Sequence, residues 1–337
     1  MSNPVLHRRG FLTAVAGSAA LMGLAACGDA GGGTAASPAA SGGGWAFTDD
    51  RGKKVSLSAR PTRIVAQAGA AAALWDFGVR PIAVFGPHRL KDGGRDPQVG
   101  EVDITKVESL GNVFDEFNVE KYASLRPELL ISGMYVKDEL WYVPKKSAAA
   151  IESVAPTVGM RISGPPLDKI IGRYAELAAS LGADLGAPAV VAAKSRFEAA
   201  SAKLTELAGE KKLKVLIMSG GPDSMWVVVP SDHAGVTYMK SIGLDVVVPE
   251  KPDAGGFFET ISWENADKYA ADVILCDDRA RSMTLAEMKQ KPTFAKLPAV
   301  AAGQTFPWRA EERFSYLGHA GVLEELVAAL TKAKKLV

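Results

Sequence analysis

Large aromatic side chains and arginines follow several strand-like segments of this sequence, and such side chains are suited to binding a bulky ligand. Tyr135 and Trp141-Tyr142 come after a strand predicted over 129–132, and Trp226 comes after a Gly-Gly-Pro turn. Aromatic faces bind apolar surfaces, and guanidinium groups bind oxygen anions. Ligands of parallel sheets gather beyond the carboxyl ends of the strands. The spacing therefore predicts a site for a ligand with an apolar body and exposed oxygens.

A second set of candidates stands at other strand ends. These are aromatic, cationic or amide side chains, namely Gln67, Arg279, Arg281, Trp308, Arg309, Arg313 and Tyr316. We expect Trp226, Trp308 and Arg309 to contribute most to binding. A Trp beside an Arg after a strand is poorly explained by core packing.

Each candidate also has an ordinary structural explanation. Trp141 and Trp226 are equally well explained as core residues of a lobe, and Gln67 as a loop residue. The carboxylates at 277–278 and 311–312 can neutralise the arginines that follow them in the sequence. The spacing alone leaves these alternatives open.

Neither a bare metal site nor a catalytic site is predicted. A Zn²⁺ or Mn²⁺ site needs several His and carboxylate ligands at one place, whereas His88, His233 and His319 are each isolated in the sequence. The sequence has no Gly-rich phosphate loop, no nucleophile elbow and no His–Cys–carboxylate cluster. Cys276 lies in an apolar run and is predicted to be a buried strand residue.

The first 44 residues have the composition of an export leader followed by a tether. Arg8-Arg9 precede an apolar run too short to span a bilayer, and residues 1–26 resemble a twin-arginine signal peptide. Residues 24–27 resemble a bacterial lipobox, so that Cys27 becomes a lipidated first residue. The alternative is an ordinary signal peptide with an incidental cysteine. Residues 27–44 are nearly all Gly, Ala and Ser, which predicts a flexible tether.

Short β-branched runs alternate with helical patterns through the rest of the chain, which predicts parallel sheets covered by helices. The alternation occurs twice, so two similar lobes are predicted, at 45–165 and 212–337. Residues 166–211 between them have apolar residues at helical spacing. Within this linker, 187–208 predicts a helix about 33 Å long, enough for a rigid strut between the lobes.

Two glutamates occupy matched places in the two halves. Glu120 and Glu264 each stand near the start of a predicted helix, eight residues before an acidic residue that opens an apolar strand. A carboxylate at a helix start is common, because it complements the helix dipole. The repetition favours a pair of docking residues, one on each lobe.

The order of several motifs resembles the helical-backbone periplasmic binding proteins, the substrate-binding subunits of ABC importers for ferric siderophores, cobalamin and haem. The similarity spans roughly residues 46–333, and its motifs lie at 47–52, 59–65, 110–111, 118–120, 261–264 and 320–323. The resemblance implies an α/β fold of two Rossmann-like lobes with parallel sheets, a long rigid backbone helix and a ligand cleft between the lobes. It also implies that Glu120 and Glu264 dock into arginine pockets of the membrane permease.

The function that this resemblance implies is capture of a ferric siderophore by a lipid-anchored, extracytoplasmic, monomeric substrate-binding protein. The partners are an ABC permease with its ATPase, and the chelator holds the iron, so no cofactor and no direct metal ligand are expected. A receptor for haem or cobalamin is an alternative. An enzyme or a structural surface lipoprotein on the same fold is an alternative of another class.

Charge favours one class of chelator. A tris-catecholate complex carries about three negative charges and needs a cluster of cations, whereas a tris-hydroxamate complex is near neutral. The mixture of aromatics with few arginines favours a hydroxamate. The chain carries a net charge of +1, to which Arg8 and Arg9 of the leader contribute, so no basic field for nucleic acid is expected.

Overall fold

The computed structural model describes residues 44–279 and 282–337. The predicted leader, the lipobox cysteine Cys27, the tether up to residue 43 and the candidate Arg281 lie outside the described residues. Within the described ranges, no helix is both long enough and apolar enough to cross a membrane.

The N-terminal lobe consists of an antiparallel hairpin and a parallel sheet. The strands are β1 (Trp45–Thr48) and β2 (Lys54–Leu57) in the hairpin, and β3 (Ile64–Gln67), β4 (Ala83–Phe85), β5 (Glu108–Ser109), β6 (Leu129–Met134) and β7 (Thr157–Arg161) in the sheet. Helices α1 (Ala68–Asp76), α2 (Val119–Ser124) and α3 (Ala148–Val154) connect them. The sheet order is β5-β4-β3-β6-β7 with every pairing parallel. Successive strands are added on one side of β3 as far as β5 and then on its other side from β6, and this switch in strand order opens a crevice beyond the carboxyl ends of β3 and β6.

Two helices connect the two sheets, α4 (Leu167–Ser180) and α5 (Pro188–Lys211). α5 is about 36 Å long and packs along the final helix, α10 (Tyr316–Lys332). Its buried residues recur at spacings of three and four, and they include Phe197, Ala200, Leu204 and Leu207. The helix continues three residues beyond the predicted 208, and Lys212 then ends it in the left-handed conformation.

The C-terminal lobe contains a mixed sheet rather than a wholly parallel one. Its strands are β8 (Lys214–Gly220), β9 (Ser224–Val228), β10 (Asp245–Val246), β11 (Phe258–Ser262), β12 (Val273–Asp277) and β13 (Thr305–Trp308). The order is β11-β9-β8-β12-β13, and β10 also pairs with β8. β9 is antiparallel to β8 and to β11. Residues 221–223 are too few for the crossover connection that a parallel partner needs.

Four helices of this lobe connect the strands of the mixed sheet. They are α6 (Ala234–Ser241), α7 (Leu285–Met288), α8 (Pro292–Ala295) and α9 (Pro298–Ala301). The predicted α/β fold of two lobes joined by a long helix is confirmed.

The acidic residues that precede β6 and β12 have the same structural role in the two lobes. Glu128 accepts hydrogen bonds from the backbone N–H groups of Thr62 at 2.7 Å and Arg63 at 3.0 Å, just before β3. Asp272 accepts a hydrogen bond from the backbone N–H of Lys214 at 2.7 Å, at the start of β8. Each carboxylate thus ties its own strand to the neighbouring first strand of the sheet. This correspondence places Glu120 and Glu264 at equivalent positions in the two lobes.

A buried core extends from the N-terminal sheet through the connecting helices into the C-terminal sheet. It includes Ile64 and Phe77 from the first lobe, Phe197 from α5, and Val215 and Leu275 from the second. Because one continuous core spans both lobes, their relative position is supported by packing as well as by the long helix.

Candidate functional site

A cleft lies between the two lobes, with a volume of about 330 Å³. We call it the interlobe cleft, and its aromatic, polar and charged side chains are those of Gln67, Gln98, Tyr135, Trp141, Tyr142, Tyr174, His233, Phe257, Phe258, Arg279, Glu311, Glu312, Arg313 and Phe314. Six of the predicted ligand-binding residues meet here, which are Gln67, Tyr135, Trp141, Tyr142, Arg279 and Arg313. Its volume and its mixture of aromatic and polar side chains are typical of a small-molecule site.

Trp141 is the centre of an aromatic wall on the N-terminal lobe. Its ring lies 5.0 Å from Tyr135 and 5.9 Å from Tyr142, edge to face in both cases. Phe114, 5.5 Å from Trp141, is 61% exposed and extends this wall outward. Edge-to-face contacts hold the rings in place and leave faces available for a ligand.

The loop after β6 positions Trp141 and Tyr142. The Trp141 backbone N–H donates to the carbonyl of Gly133 at 2.8 Å, and its carbonyl accepts from Ser132 Oγ at 2.8 Å. Tyr142 has a φ of 62°, in the left-handed region, and its ring packs on Gly86, where a Cβ would lie 3.2 Å from it. Such backbone strain persists only where the surroundings enforce it, often at functional sites.

Gln67 has a structural role in addition to its place in the cleft. Its Oε1 accepts hydrogen bonds from the backbone N–H groups of Gly69 at 3.0 Å and Ala70 at 3.2 Å. The side chain thus caps the start of α1. A ligand contact would therefore come from its amide nitrogen.

Arg279 forms the polar floor of the cleft. It follows β12, and its Nε donates to Asp277 Oδ1 at 2.8 Å while its Nη2 donates to Asp277 Oδ2 at 2.6 Å. Its Nη1 donates to Glu311 Oε1 at 2.7 Å. Burial disfavours the charged guanidinium, but the two carboxylates outweigh this effect and raise the pKa of Arg279. Arg279 is thus a fixed cation between two anions.

Arg313 joins the two lobes. Its Nε donates to Asp76 Oδ2 at 2.6 Å, at the end of α1, and its Nη1 donates to Glu312 Oε1 at 2.9 Å. Burial opposes the charge of Arg313, and the attraction of Asp76 and Glu312 outweighs it, so the pKa of Arg313 is raised. Ser315 Oγ also donates to Asp76 Oδ2 at 2.5 Å, and it accepts from the backbone N–H of Gly318 as the cap of α10.

His233 lines the cleft, with Trp308 behind it. Burial lowers the pKa of His233 to about 4, so the ring is neutral at pH 7. The ring lies 5.3 Å from the Trp308 ring, edge to face, and 5.2 Å from the Phe258 ring. Trp308 is only 5% exposed and supports His233 rather than lining the cleft.

The other expected binding residues lie outside the interlobe cleft. Trp226 is on the antiparallel strand β9 and covers Gly221, where a Cβ would lie 2.4 Å from its ring. Tyr316 begins α10 and packs 5.6 Å from Phe197 of α5 and 6.1 Å from Phe77. It therefore supports the junction of the lobes.

Arg309 lines an adjoining depression of about 460 Å³ that shares Gln98, Arg279 and Glu311 with the cleft. Its guanidinium pairs with Asp278 at 3.1 Å and Glu325 at 3.4 Å, and its side chain is largely exposed.

Several cleft residues were not among the sequence candidates. Tyr174 comes from α4 and stacks on Phe314 at 6.1 Å, while Phe257 directly precedes β11 and Phe258 is its first residue. A search for side chains beyond the ends of parallel strands misses these positions, because they come from a linker helix and an antiparallel strand. Gln98 follows no strand run at all, and its only sequence signal is the Asp-Pro pair before it.

The two matched glutamates, Glu120 and Glu264, are both exposed. Glu120 is in the first turn of α2, and Glu264 is in the first turn of a short 3₁₀ helix over Trp263–Lys268. Hydrogen bonds from its own backbone N–H and from Ser262 lower the pKa of Glu264. Glu264 is therefore anionic at neutral pH.

No group of three or more His, Cys, Asp or Glu side chains in residues 44–279 and 282–337 is arranged to hold a metal ion. Cys276 is buried on β12, and burial raises the pKa of its thiol to about 12. The thiol is therefore protonated and shielded at neutral pH.

The comparison with protein families identifies the type of protein. Residues 56–312, which include both sheets and the helices that connect them, match the family described as periplasmic binding protein. The chain belongs to this family. Its members bind solutes outside the cytoplasm and are not enzymes. The family relationship that the short sequence motifs predicted is thus confirmed.

Solved structures agree with this assignment. DesE, a ferric-siderophore receptor protein from Streptomyces coelicolor, is 42% identical with a TM-score of 0.80, covering 87% of this chain and 100% of DesE. The siderophore periplasmic binding protein from the fuscachelin gene cluster of Thermobifida fusca is 21% identical with a TM-score of 0.61, covering 81% and 97%.

The periplasmic catecholate-siderophore binding protein VctP from Vibrio cholerae is 18% identical with a TM-score of 0.62, covering 86% and 99%. These two more distant structures share the fold alone. No curated protein sequence matches the chain significantly.

Proposed function

We propose that this periplasmic binding protein captures a ferric siderophore in the interlobe cleft and delivers it to the permease of an ABC importer. The observation that carries the proposal is that the aromatic wall and two guanidinium groups, those of Arg279 and Arg313, line the same cleft between the two lobes. A ferric chelate has an apolar body for the rings and exposed oxygens for the guanidinium groups. The 42% identity to a ferric-siderophore receptor supports this ligand class.

A hydroxamate complex is the chelate that the cleft suits best. Tyr135, Trp141 and Tyr142 supply aromatic surface, while Arg279 and Arg313 are each already paired with carboxylates. A complex with three negative charges would meet no uncompensated guanidinium among the described cleft residues. A near-neutral trihydroxamate complex needs only one or two hydrogen bonds from these groups.

Delivery to the permease is proposed to rest on Glu120 and Glu264. Their exposure, and their equivalent places in two lobes joined by a stiff helix, support a pair of docking points at fixed separation. In this proposal the permease provides cations that pair with both carboxylates at once.

The protein is also proposed to be attached to the membrane through lipid on Cys27. A Cys27→Ser variant is then expected to leave the membrane fraction, while ligand binding in the cleft is unchanged. Retention of this variant on membranes, measured by fractionation and immunoblotting, would contradict the anchor.

Thermal unfolding with a panel of ligands tests the proposed function. The purified protein is heated with ferric trihydroxamates, ferric tris-catecholates, haem and cobalamin, and with the iron-free chelators as controls. A ligand at 100 times its Kd stabilises the folded protein by about 2.7 kcal/mol, which raises the Tm measurably. A rise with a ferric trihydroxamate and none with its iron-free form is expected. A rise only with haem or cobalamin would replace the proposed ligand, and no rise with any compound would remove the function.

A further inference from the structure

The polar floor of the interlobe cleft is a chain of hydrogen bonds that crosses from one lobe to the other. Asp277 holds Arg279, and Arg279 Nη1 donates to Glu311 Oε1 at 2.7 Å. Gln98 of the N-terminal lobe donates from Nε2 to Glu311 Oε2 at 2.7 Å. The two oxygens of Glu311 are therefore held by different lobes, and the carboxylate is fixed at the cleft surface.

Each guanidinium group in the cleft is paired with two carboxylates, so a ligand that contacts the guanidinium group also lies close to negative charge. Arg279 lies between Asp277 and Glu311, and Arg313 lies between Asp76 and Glu312. In the part of the chain that the structure describes, no other Arg or Lys lines the cleft. In a partly desolvated site, fixed carboxylates repel an anionic ligand far more strongly than they would in water.

Glu311 differs from Asp277 and Asp76 in its exposure. Glu312 also lines the cleft and is 20% exposed, but it pairs with Arg313, whereas Glu311 pairs with Arg279 and with Gln98 of the other lobe. The Asp277 side chain is fully buried behind Arg279, where Ser219 and Ser282 also donate to it. Asp76 is 2% exposed at the junction of the lobes. Glu311 is 22% exposed, lines the cleft directly and accepts the hydrogen bond that Arg279 Nη1 donates.

We propose that Glu311 determines the charge selectivity of the interlobe cleft and that Gln98 is the residue that positions it. This inference rests on the proposed function. The Glu311 carboxylate competes with ligand oxygens for Arg279 Nη1, and it repels complexes that carry negative charge. Neutral and cationic ferric chelates bind through the aromatic wall and the remaining hydrogen bonds, whereas a trianionic chelate binds more weakly.

The test is a matched set of affinities for Glu311→Gln and the wild-type protein. The probes are a neutral ferric trihydroxamate, a ferric trihydroxamate with a free amine, and a trianionic ferric tris-catecholate, each titrated by calorimetry. Glu311→Gln keeps the shape and the possible hydrogen bonds but removes the charge. We expect it to strengthen binding of the trianionic complex at least about tenfold and to change binding of the neutral one less than about threefold.

Two further variants separate the proposed role from general effects. Glu325→Gln removes the same charge from a carboxylate that pairs with Arg309 on the same lobe, outside the cleft. It should leave unchanged the ratio of the affinity for the trianionic complex to the affinity for the neutral one, which we call the affinity ratio. Gln98→Leu keeps the charge of Glu311 but removes the bond that positions it, and it should shift the ratio in the same direction as Glu311→Gln but by less.

The outcomes distinguish this inference from the proposed function. An unchanged affinity ratio in Glu311→Gln, or an equal shift in Glu325→Gln, would overturn the role of Glu311 while the protein remained a ferric-siderophore receptor. Failure of the wild-type protein to bind any of the three probes would instead remove the proposed function.

The wild-type protein alone offers a second measurement that does not depend on how a variant folds. Repulsion between the cleft and a trianionic complex should weaken as salt shortens the Debye length from about 30 Å at 0.01 M to about 3 Å at 1 M. Affinity for the tris-catecholate is therefore expected to rise with salt. A fall in affinity with salt would show net attraction and would overturn the proposal.

Discussion

At the residue scale, the cleft combines aromatic surface with arginines whose charges are already compensated. Trp141 contacts Tyr135 and Tyr142 edge to face, and a strained backbone at Tyr142 holds this group against Gly86. Arg279, at the opposite side, has its orientation fixed by Asp277. Side chains that are fixed before the ligand arrives lose little conformational entropy on binding.

Trp141 is the side chain whose removal should affect binding most. Trp141→Leu removes the ring at the centre of the aromatic wall and is expected to weaken binding of a ferric trihydroxamate by about 1 to 3 kcal/mol. Calorimetric titration measures the change. The matched control is Trp226→Leu, which alters a partly buried Trp on β9 outside the cleft and should change affinity little. Equal losses in the two variants would contradict the assignment of the aromatic wall.

The sequence predicted the kinds of side chain in the site better than their positions. Tyr135, Trp141, Tyr142, Arg279 and Arg313 were all found from their place after apolar runs, and they lie together in the cleft. Trp308 also ends a strand, but alternation along β13 turns its ring into the core beneath His233. Which face of a strand a side chain occupies depends on the packing of neighbouring elements, and a short apolar run does not reveal it.

At the element scale, the end of α1 and the start of α10 are held together across the lobes. Asp76 lies at the carboxyl end of α1, where the helix dipole disfavours an anion. Arg313 and the capping residue Ser315 both donate to this carboxylate. The contact therefore compensates a buried charge and fixes the relative position of two elements that border the cleft.

Removal of Arg313 should destabilise the protein strongly. Arg313→Met leaves the Asp76 carboxylate buried without its ion-pair partner, which is expected to lower the free energy of unfolding by about 3 kcal/mol. Urea denaturation measures the change. Arg309→Met removes an arginine from two partly exposed ion pairs and should cost less than about 1 kcal/mol. A loss as small in Arg313→Met would contradict the structural role of the pair.

Asp272 connects the start of β12 with the last residues of the chain. Its carboxylate accepts from the backbone N–H groups of Lys214, Leu336 and Val337, and it pairs with Lys335. Burial raises the pKa of this carboxyl. The hydrogen bonds and the Lys335 ammonium lower it by more than burial raises it, so that the pKa is about 2. Because the folded-state pKa lies below the ordinary value, the contribution to stability is present above about pH 4 and disappears as the pH falls towards 2.

The stability of Asp272→Asn should therefore depend on pH less than that of the wild-type protein. At pH 7 the variant is expected to be less stable by about 2 kcal/mol, and the difference should narrow between pH 4 and pH 2. Denaturant unfolding of both proteins at pH 7, 5 and 3 measures it. A difference that is constant or grows on acidification would contradict the assigned pKa.

Element order was predictable in the first lobe and less so in the second. The N-terminal sheet is a series of parallel strands with helical connections, so alternation of apolar runs identified it. In the second lobe the Gly-Gly-Pro turn after β8 was recognised, but the strand that follows it is antiparallel. That reversal explains why Trp226 lies away from the cleft and why Phe257 and Phe258 were missed.

At the scale of the whole molecule, a long helix and a shared core limit how far the lobes can move. α5 packs along α10, and buried side chains continue from one sheet to the other. We therefore expect the outer surface to change little when a ligand binds. Recognition by a permease would therefore depend strongly on fixed surface groups, for which Glu120 and Glu264 are the candidates.

Loss of both glutamates should separate transport from binding. Glu120→Ala with Glu264→Ala is expected to abolish uptake of radiolabelled ferric siderophore by cells while leaving affinity in solution unchanged, since both residues are exposed and outside the cleft. The control is Glu198→Ala with Glu210→Ala, which removes two exposed carboxylates from α5. Normal uptake in the first double variant would contradict the docking role.

The central claim is that a ferric siderophore binds in the cleft between the lobes, and intrinsic tryptophan fluorescence tests it most directly. Iron complexes quench nearby indole rings, and Trp141 lies in the cleft wall while Trp226 lies outside it. Titration with a ferric trihydroxamate should give saturable quenching that is much reduced in Trp141→Phe and preserved in Trp226→Phe. The iron-free chelator should quench neither protein. Saturable quenching that depends on Trp226 and not on Trp141 would place the ligand elsewhere and contradict the account.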